Sequence, residues 1–314
     1  MRVTAAIVSF NTRELLLRCL RSIAREIDPG SLEVWVVDNS STDGSAEAAR
    51  SLTPGVRVLE PGRNLGFGPA VNLVASQTDS EWLLAANADV ALEPGALEAL
   101  LAAGEDPIVG CVAPRLILPD GSTQHSVYPF PTLRFTAAFN LGLQRLSPRV
   151  RERLCLEGDW DPARARAVPW AIGACVLLRR RAFDEAGGFD DRQWLYAEDL
   201  DLGWRLHDRG WVTRYEPSAR VLHESGAATR NAFGEWRATT FMAATYAVLA
   251  RRRGRARAAL TAALNVAGAG VRLAWMAPLG FVVPRWQGRA ADSRRWLWAH
   301  LAGLRSLYRL AQRG

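Results

Sequence analysis

The chain contains no lysine: all 39 of its basic residues are arginine. Every permanent cation is thus a planar guanidinium, a group matched to phosphate and carboxylate. Acidic residues are nearly missing from one end. Residues 230–314 hold 15 arginines against Glu235 and Asp292, a net charge of +13, while residues 1–229 hold 24 arginines against 30 acids, a net charge of −6. Such a cationic appendage suits an anionic membrane surface or a nucleic acid. Cysteine is sparse too. Cys19, Cys111, Cys155 and Cys175 are scattered, which excludes a paired metal or redox motif and suits reduced residues of a cytosolic protein. Long hydrophobic runs are also lacking. Val3–Val8 is too short for a signal peptide and leads straight into polar Ser9 and Asn11. In the tail, Ala258–Val283 reaches 14 consecutive uncharged residues before Arg272, short of the ~18–20 that a spanning helix needs. There is no internal repeat and no low-complexity segment.

What is present is apolar residue, 49% of the chain, enough for one large domain or one domain with an appendage. Val3–Phe10 reads as a buried strand, and Asn11 with Glu14 as the start of a helix reaching Ile23. Val34–Val37, Val56–Leu59 and Trp82–Ala86 are three further strands. Helices follow them after residue 45, over Ala70–Ser76 and over 95–103. This alternation predicts a parallel sheet with helices on both faces. Three strands end in polar loops, Ser9–Asn11, Asp38–Asp43 and Asn87–Asp89, and one sheet edge would collect all three. Beyond residue 105 the pattern changes. Residues 108–127 read as a hairpin turning at Pro119–Gly121, with a helix near 132–145. Ala167–Leu178 reads as one strand interrupted at Gly173. A helix over Glu198–Arg209, short strands at Trp211–Tyr215 and Ala219–Leu222, and helices from Gly234 onward complete the chain.

Several residues in these loops carry chemistry. Asp89, just past a strand with both faces covered, can hold a divalent cation against a diphosphate, or serve as an ordinary loop or capping acid. Asp38 can accept the imide N–H of a pyrimidine base, or cap the next helix. Arg63 and Asn64 sit in a glycine-rich turn where Arg can pair with phosphate, and Gly66 and Gly68 let backbone approach a ligand. That turn has the spacing of neither a dinucleotide fingerprint nor a Walker loop. The helix beginning at Glu198 gathers Asp199 and Asp201. Asp201 and Arg205 are four apart and form a surface pair. Asp199 has Gly203 one turn above it, which leaves open space for an acceptor hydroxyl and makes it a candidate general base. His223 ends a strand, as a loop residue or as a second metal ligand.

Taken together, Ile7-Val8-Ser9-Phe10-Asn11, Val36-Val37-Asp38-Asn39-Ser40-Ser41-Thr42-Asp43-Gly44-Ser45, Asn64-Leu65-Gly66-Phe67-Gly68, Asn87-Ala88-Asp89 and Gly187-Gly188-Phe189-Asp190 with Glu198-Asp199-Leu200-Asp201 resemble glycosyltransferase family 2. Within it they are most similar to bacterial rhamnosyltransferase-like members. The resemblance covers about residues 3–226. It implies a GT-A fold, Rossmann-like, with a mostly parallel sheet. A catalytic domain would span 1–228, its nucleotide-sugar half about 1–105 and its acceptor half about 106–228. It also implies a nucleoside-diphosphate sugar donor, dTDP-rhamnose ahead of UDP-sugars, and inversion at the anomeric carbon. Ser9, Asn11, Asp38 and Arg63 would surround the nucleotide, with Asn64, Gly66 and Asn87 beside them. Asp89 would hold Mg²⁺ or Mn²⁺ on the diphosphate, Asp199 would be the base with Glu198 next to it, and Trp170, Gly173 and Tyr196 would line the acceptor side. One departure stands out: many members carry two aspartates flanking one residue, and here the first is Asn87. A shell completed by His223 or the diphosphate is then expected.

Residues 229–314 set Arg251-Arg252-Arg253-Gly254-Arg255-Ala256-Arg257 ahead of helices in which Trp275, Trp286, Trp296 and Trp298 lie among arginines. Arg with Trp suits a bilayer interface. The expectation is peripheral attachment to the inner face of the plasma membrane, near a lipid-linked or polysaccharide acceptor of the cell envelope. A bundle packed on the catalytic domain or on a homodimer partner is the alternative. Two other functions compete. A nucleotidyltransferase would carry a basic glycine-rich loop near the first strand, which Ser9–Arg13 lacks. A nucleic-acid binder driven by the Arg-rich tail would leave the polar strand ends unexplained.

Overall fold

A computed structural model of the chain describes residues 2–26, 31–52, 55–143, 147–156, 160–224, 237–282 and 284–311. Strands β1 (Val3–Ser9), β2 (Leu32–Asp38), β3 (Arg57–Leu59) and β4 (Trp82–Asn87) run parallel, joined through α1 (Arg13–Ile23), α2 (Ser45–Leu52) and α3 (Phe67–Ala75). Their side chains sort by the two-residue period of a strand. Val3, Ala5, Ile7, Leu84 and Ala86 face one core together with Leu16, Cys19, Leu20 and Ile23 of α1. Ala6, Leu83 and Ala85 face the other with Ala70, Val71 and Val74 of α3. Both faces are therefore sealed by helices, each fully buried aliphatic side chain contributing ~1.5–3 kcal/mol.

The chain continues through β5 (Val90–Leu92), α4 (Ala96–Ala103), β6 (Val109–Ile117), β7 (Val127–Tyr128), α5 (Leu133–Asn140), α6 (Pro148–Arg153), β8 (Arg166–Val168), β9 (Trp170–Ala171), β10 (Cys175–Arg179), α7 (Arg180–Ala186), α8 (Glu198–Asp208) and β11 (Val212–His223). The main sheet has the order β3-β2-β1-β4-β10-β6-β11-β5, with β8 paired to β11. It is mixed, because β10 lies antiparallel between β4 and β6. Three expectations change here. The apolar stretch 167–178 is not one strand but parts of β8, β9 and β10, each with different neighbours. The hairpin returns from its Leu118–Ser122 turn through a bridge at Ile117 and Thr123, and β7 then leaves to pair with β9. The two short strands at 211–222 are one, β11, whose register shifts between Glu216 and Arg220.

Residues 1–128 with 155–232 form one compact unit; residues 129–154 with 233–314 form another. The boundary expected at 228/229 and the helix start at Gly234 lie outside the described residues. In the second unit, α9 (Arg237–Arg253), α10 (Arg255–Val282) and α11 (Pro284–Ala311) pack on one another, and α5 packs on α10. A polar chain runs through it. The Tyr246 hydroxyl lies 2.8 Å from His300 Nδ1 and accepts from Asn265 Nδ2 at 3.1 Å. Asn265 Oδ1 accepts from Asn140 Nδ2, and Asn140 Oδ1 from Arg272, at 2.9 and 3.0 Å. Within α10, Arg255–Pro278 is long and apolar enough by length and composition to cross a membrane, with 28% of its most apolar window buried. Counting unbroken uncharged residues missed this, since one arginine ends the run but only lowers the average of a longer window, which stays at a mean hydropathy of 1.2.

Candidate active site

The parallel strands bring their carboxyl ends to one sheet edge. There Ser9 of β1 pairs in register with Asp38 of β2, and Val8 with Asn87 of β4. Ser9 Oγ lies 3.1 Å from Thr12 Oγ1. Asp38 is 3% exposed. Its Oδ1 accepts from the Ser41 amide at 2.6 Å, while Oδ2 is buried with no partner among the described residues. An orphaned buried oxygen of this kind costs ~1–3 kcal/mol or more unless a donor reaches it. Asn11, in the left-handed region at φ 51°, ties the loops together: its amide donates to Ser41 Oγ at 2.9 Å, and its Oδ1 accepts from the Thr42 amide at 2.8 Å. Neither Asn11 nor Asp38 caps a helix. Asp43 does so for two, taking the Arg13 amide at the start of α1 and the Ser45 amide at the start of α2.

The glycine-rich turn is fastened to this edge by Asn39, which the sequence reading did not single out. Its side chain donates to the Gly66 carbonyl and accepts from the Leu65 amide, both at 3.2 Å. At Gly66 and Gly68 the space left by the missing side chain is taken by protein. A Cβ on Gly66, at φ 83°, would lie 2.1 Å from the Trp194 carbonyl oxygen, and one on Gly68 2.7 Å from Phe189 Cβ. Arg63 and Asn64 line a cleft of about 550 Å³ with Asn72, Leu73, Asp191 and Trp194.

Asp89 and His223, each 6% exposed, come together. His223 pairs in register with Val90 of β5, which sets its Nε2 3.4 Å from Asp89 Oδ1. On the other side of the ring, Nδ1 lies 2.6 Å from Gln124 Oε1. An amide oxygen accepts only, so Nδ1 carries the hydrogen and a neutral ring turns its Nε2 lone pair toward the carboxylate. Two acceptors facing one another call for a proton or a cation between them, and an outer acceptor on Nδ1 is the usual support of a metal-binding imidazole. No group of three or more His, Cys, Asp or Glu suited to a metal occurs among the described residues. The protein thus offers two side chains.

The acidic helix meets the same edge. The Asn87 amide donates to the Ala174 carbonyl at 2.9 Å, and the adjoining Gly173 amide donates to Asp199 Oδ2 at 3.0 Å. Asp199 Oδ1 takes the Leu200 amide at 2.8 Å. Glu198 Oε2 is buried with no partner among the described residues. Both carboxyls keep a little surface open yet sit amid protein. Burial, followed by the charge of Asp199, pushes Glu198 up to about 8. Burial also raises Asp199, against the pull of its backbone donors. The turn into α8 is left-handed at Tyr196 and Ala197 (φ 60° and 62°), and Gln193 Nε2 donates to the Tyr196 carbonyl at 2.7 Å.

Two expectations about this helix are corrected. Gly203 does not open space above Asp199, because a Cβ there would lie 2.6 Å from Trp170 Cβ. Trp170 is buried and stacked on Tyr128 with ring centres 5.1 Å apart, so it packs against α8. The Asp201–Arg205 pair is structural but not on the surface. It is buried at 2.8 Å, and Arg205 also donates to the Ala186 and Gly188 carbonyls, holding the double-glycine turn.

Residues 4–187 match the family model described as Glycosyl transferase family 2, and residues 159–308 that of Glycosyl transferase family group 2. The chain is 38% identical over 210 residues to the N-acetylglucosaminyl-diphospho-decaprenol L-rhamnosyltransferase of Mycobacterium tuberculosis, which spans 63% of this chain and 68% of that protein. It is 29% identical over 133 residues to rhamnosyltransferase WbbL of Escherichia coli, 41% of this chain and 46% of the other. Among solved structures it is similar to the mannosyltransferase PcManGT of Pyrobaculum calidifontis in complex with GDP-Man and Mn²⁺. That likeness has a TM-score of 0.61 at 19% identity, over 96% of this chain and 87% of that one. It speaks for the fold.

Proposed function

The chain belongs to glycosyltransferase family 2, and on that premise we propose that it transfers rhamnose, with inversion, from a nucleoside-diphosphate sugar to a hydroxyl of a lipid-linked acceptor in cell-envelope glycan synthesis. The chain has the α/β GT-A fold in its first unit and a helical C-terminal region in its second. The observation that carries the proposal is a pair of hydrogen bonds, the Asn87 amide to the Ala174 carbonyl and the Gly173 amide to the Asp199 carboxylate. They bring the acidic helix to the sheet edge that also holds Asp38, Asp89 and His223.

In this reading residues 1–128 and 155–228 act as the catalytic domain. Ser9, Asn11 and Asp38 take the nucleotide, the open Asp38 oxygen accepting the imide N–H of thymine or uracil. Both relatives quoted are named rhamnosyltransferases, which favours dTDP-rhamnose over a UDP-sugar. The mycobacterial name also favours an acceptor sugar on a polyprenyl diphosphate. Asp89 and His223 fit a hard divalent cation whose remaining ligands are diphosphate oxygens and water. When bound, Mg²⁺ or Mn²⁺ supplies positive charge against the leaving diphosphate. Mn²⁺ accompanies the donor in the archaeal mannosyltransferase structure.

Burial raises both carboxyls, but two amides donate to Asp199 while Glu198 Oε2 has no partner among the described residues, so Asp199 is the member suited to carry the pair's negative charge. Asp199 then accepts the acceptor's proton as that oxygen attacks the anomeric carbon. The bond from that carbon to the diphosphate oxygen breaks, and the diphosphate leaves with the electron pair. A single displacement inverts the centre. A thermal-shift screen of dTDP-, UDP- and GDP-sugars with and without Mn²⁺ tests donor and metal together. NMR of the product tests inversion, and a retained anomer would overturn the single-step scheme.

For the helical unit we propose peripheral attachment to the inner membrane face through its arginines. High salt should then release the protein from membranes. Resistance to salt would favour insertion of α10 instead.

A further inference from the structure

The family resemblance gives Arg63 and Asn64 to the nucleotide, but among the described residues neither side chain bonds to Ser9, Asn11 or Asp38; both line the cleft beside α3, whose composition is specific. Trp194 is 46% exposed, yet its Nε1 donates to the Asn64 carbonyl at 3.2 Å. The backbone of Trp194 is seated against Gly66, where no Cβ would fit. The single polar atom of the indole is thus engaged by protein, and an apolar plate is held rigidly at the surface. Around it stand polar groups with capacity to spare. Arg63 has no partner among the described residues, and neither has the Asn64 amide nitrogen. Asp191 accepts from Asn72 Nδ2 at 2.8 Å through Oδ1, leaving Oδ2. Asn72 itself is saturated by Phe189, donating to its carbonyl and accepting from its amide, both at 2.9 Å. It therefore serves to fix Asp191.

We propose that this cleft binds a pyranose ring of the acceptor, apart from the hydroxyl that is glycosylated; its assignment to the acceptor rests on the transferase reading above. A sugar presents C–H faces to an aromatic plate and vicinal hydroxyls that both donate and accept. One cation, one amide and one carboxylate around one indole match that demand. A phosphate would meet Asp191, and the paired charges of Arg63 and Asp191 leave the cleft near neutral. Its volume of about 550 Å³ falls within the ~300–1,000 Å³ of small-molecule clefts. Its position suits the role. One wall is the turn that Asn39 fastens to the nucleotide edge, and the other is the loop that runs through Tyr196 into Glu198.

Saturation-transfer NMR on the full chain tests this, with methyl α-rhamnoside and N-acetylglucosamine as separate probes and neither nucleotide nor metal present. Ring C–H protons of at least one probe should receive saturation. Trp194→Ala should weaken that binding about ten-fold. Arg63→Gln, at an exposed side chain without partners, should weaken it less and carries the test if the tryptophan variant fails to fold. Absence of binding by both sugars, or wild-type binding in both variants, would overturn the proposal. So would loss in Trp194→Ala of the thermal shift caused by UDP, which would give the plate to a base. Sugar binding that depends on Trp194, in a protein that no nucleoside-diphosphate sugar stabilises, would uphold the cleft and defeat the donor reading.

Discussion

The two units of this chain handle buried polar groups in opposite ways. In the helical unit, buried Tyr246 and His300 and half-buried Asn265, Asn140 and Arg272 bond to one another in a continuous chain across four helices. In the sheet unit, Asp38 Oδ2 and Glu198 Oε2 are buried oxygens left open at the edge where three strands end. Hydroxyls of Thr4, Thr78 and Ser126 and the Nε of Arg18, whose guanidinium pairs with Glu224, are also unsatisfied in that unit, but none of these residues belongs to the polar strand ends or to α8. A continuous network fixes how helices register. An open carboxylate costs stability until a ligand arrives, so it marks where one binds. Incompleteness, more than polarity, separates site from scaffold.

The largest effects should come from the open side. Asp199→Asn should lower kcat by about 10²–10⁴-fold while leaving the thermal shift by a nucleotide sugar nearly unchanged. Full turnover in that variant would break the comparison at its centre. Removing divalent metal with EDTA should abolish turnover, and Asp89→Ala should raise the Mn²⁺ concentration needed to restore it by about ten-fold or more. Restoration at the same concentration in wild type and variant would count against the Asp89–His223 pair as ligands.

Next come two substitutions that should diverge. Tyr246→Phe strips a hydroxyl from between His300 and Asn265, and should cost ~1–3 kcal/mol in chemical denaturation while turnover per folded molecule stays level. Asp38→Asn should weaken donor binding in titration calorimetry with little loss of stability, since it removes a buried charge whose second oxygen has no partner. If Asp38→Asn instead destabilised as Tyr246→Phe does, Asp38 would belong with the scaffold.

How much of this was legible beforehand follows from the kinds of interaction involved. Strands β1 to β4 were legible because apolar runs ending in polar loops are local signals. Asp38, Asp89 and His223 were legible as charged or titratable groups at such ends, and Asp199 as an acid opening a helix. The direction of β10 was not, because side-chain alternation is the same for parallel and antiparallel pairing. Gln124 and Asn39 were missed for another reason: a neutral amide becomes significant only through its partner, and His223 lies 99 residues from Gln124. Gly203 misled, because a missing side chain admits protein as readily as ligand. Only the facing residue, Trp170, decides between them.

The smallest effect isolates Glu198 by its proton. Folding raises this carboxyl from its ordinary 4.5 to about 8, so between those values the folded state holds a proton that the unfolded chain has released. Stability from this group is therefore lost as pH rises through that window and is level above it. His300, pushed down to about 4 by burial and then by Arg272, acts in the opposite sense and removes stability as pH falls below its ordinary 6.5. The wild-type curve mixes both, and the difference between wild type and Glu198→Gln separates them. That difference should favour the variant increasingly from pH 5 to pH 8 in urea unfolding. Because the charge of Asp199 is the second cause of the shift, Asp199→Asn should move the window to lower pH. A difference curve flat with pH would mean that Glu198 is ionised in the folded protein, and the open oxygen at this end of the site would then have found a donor of its own.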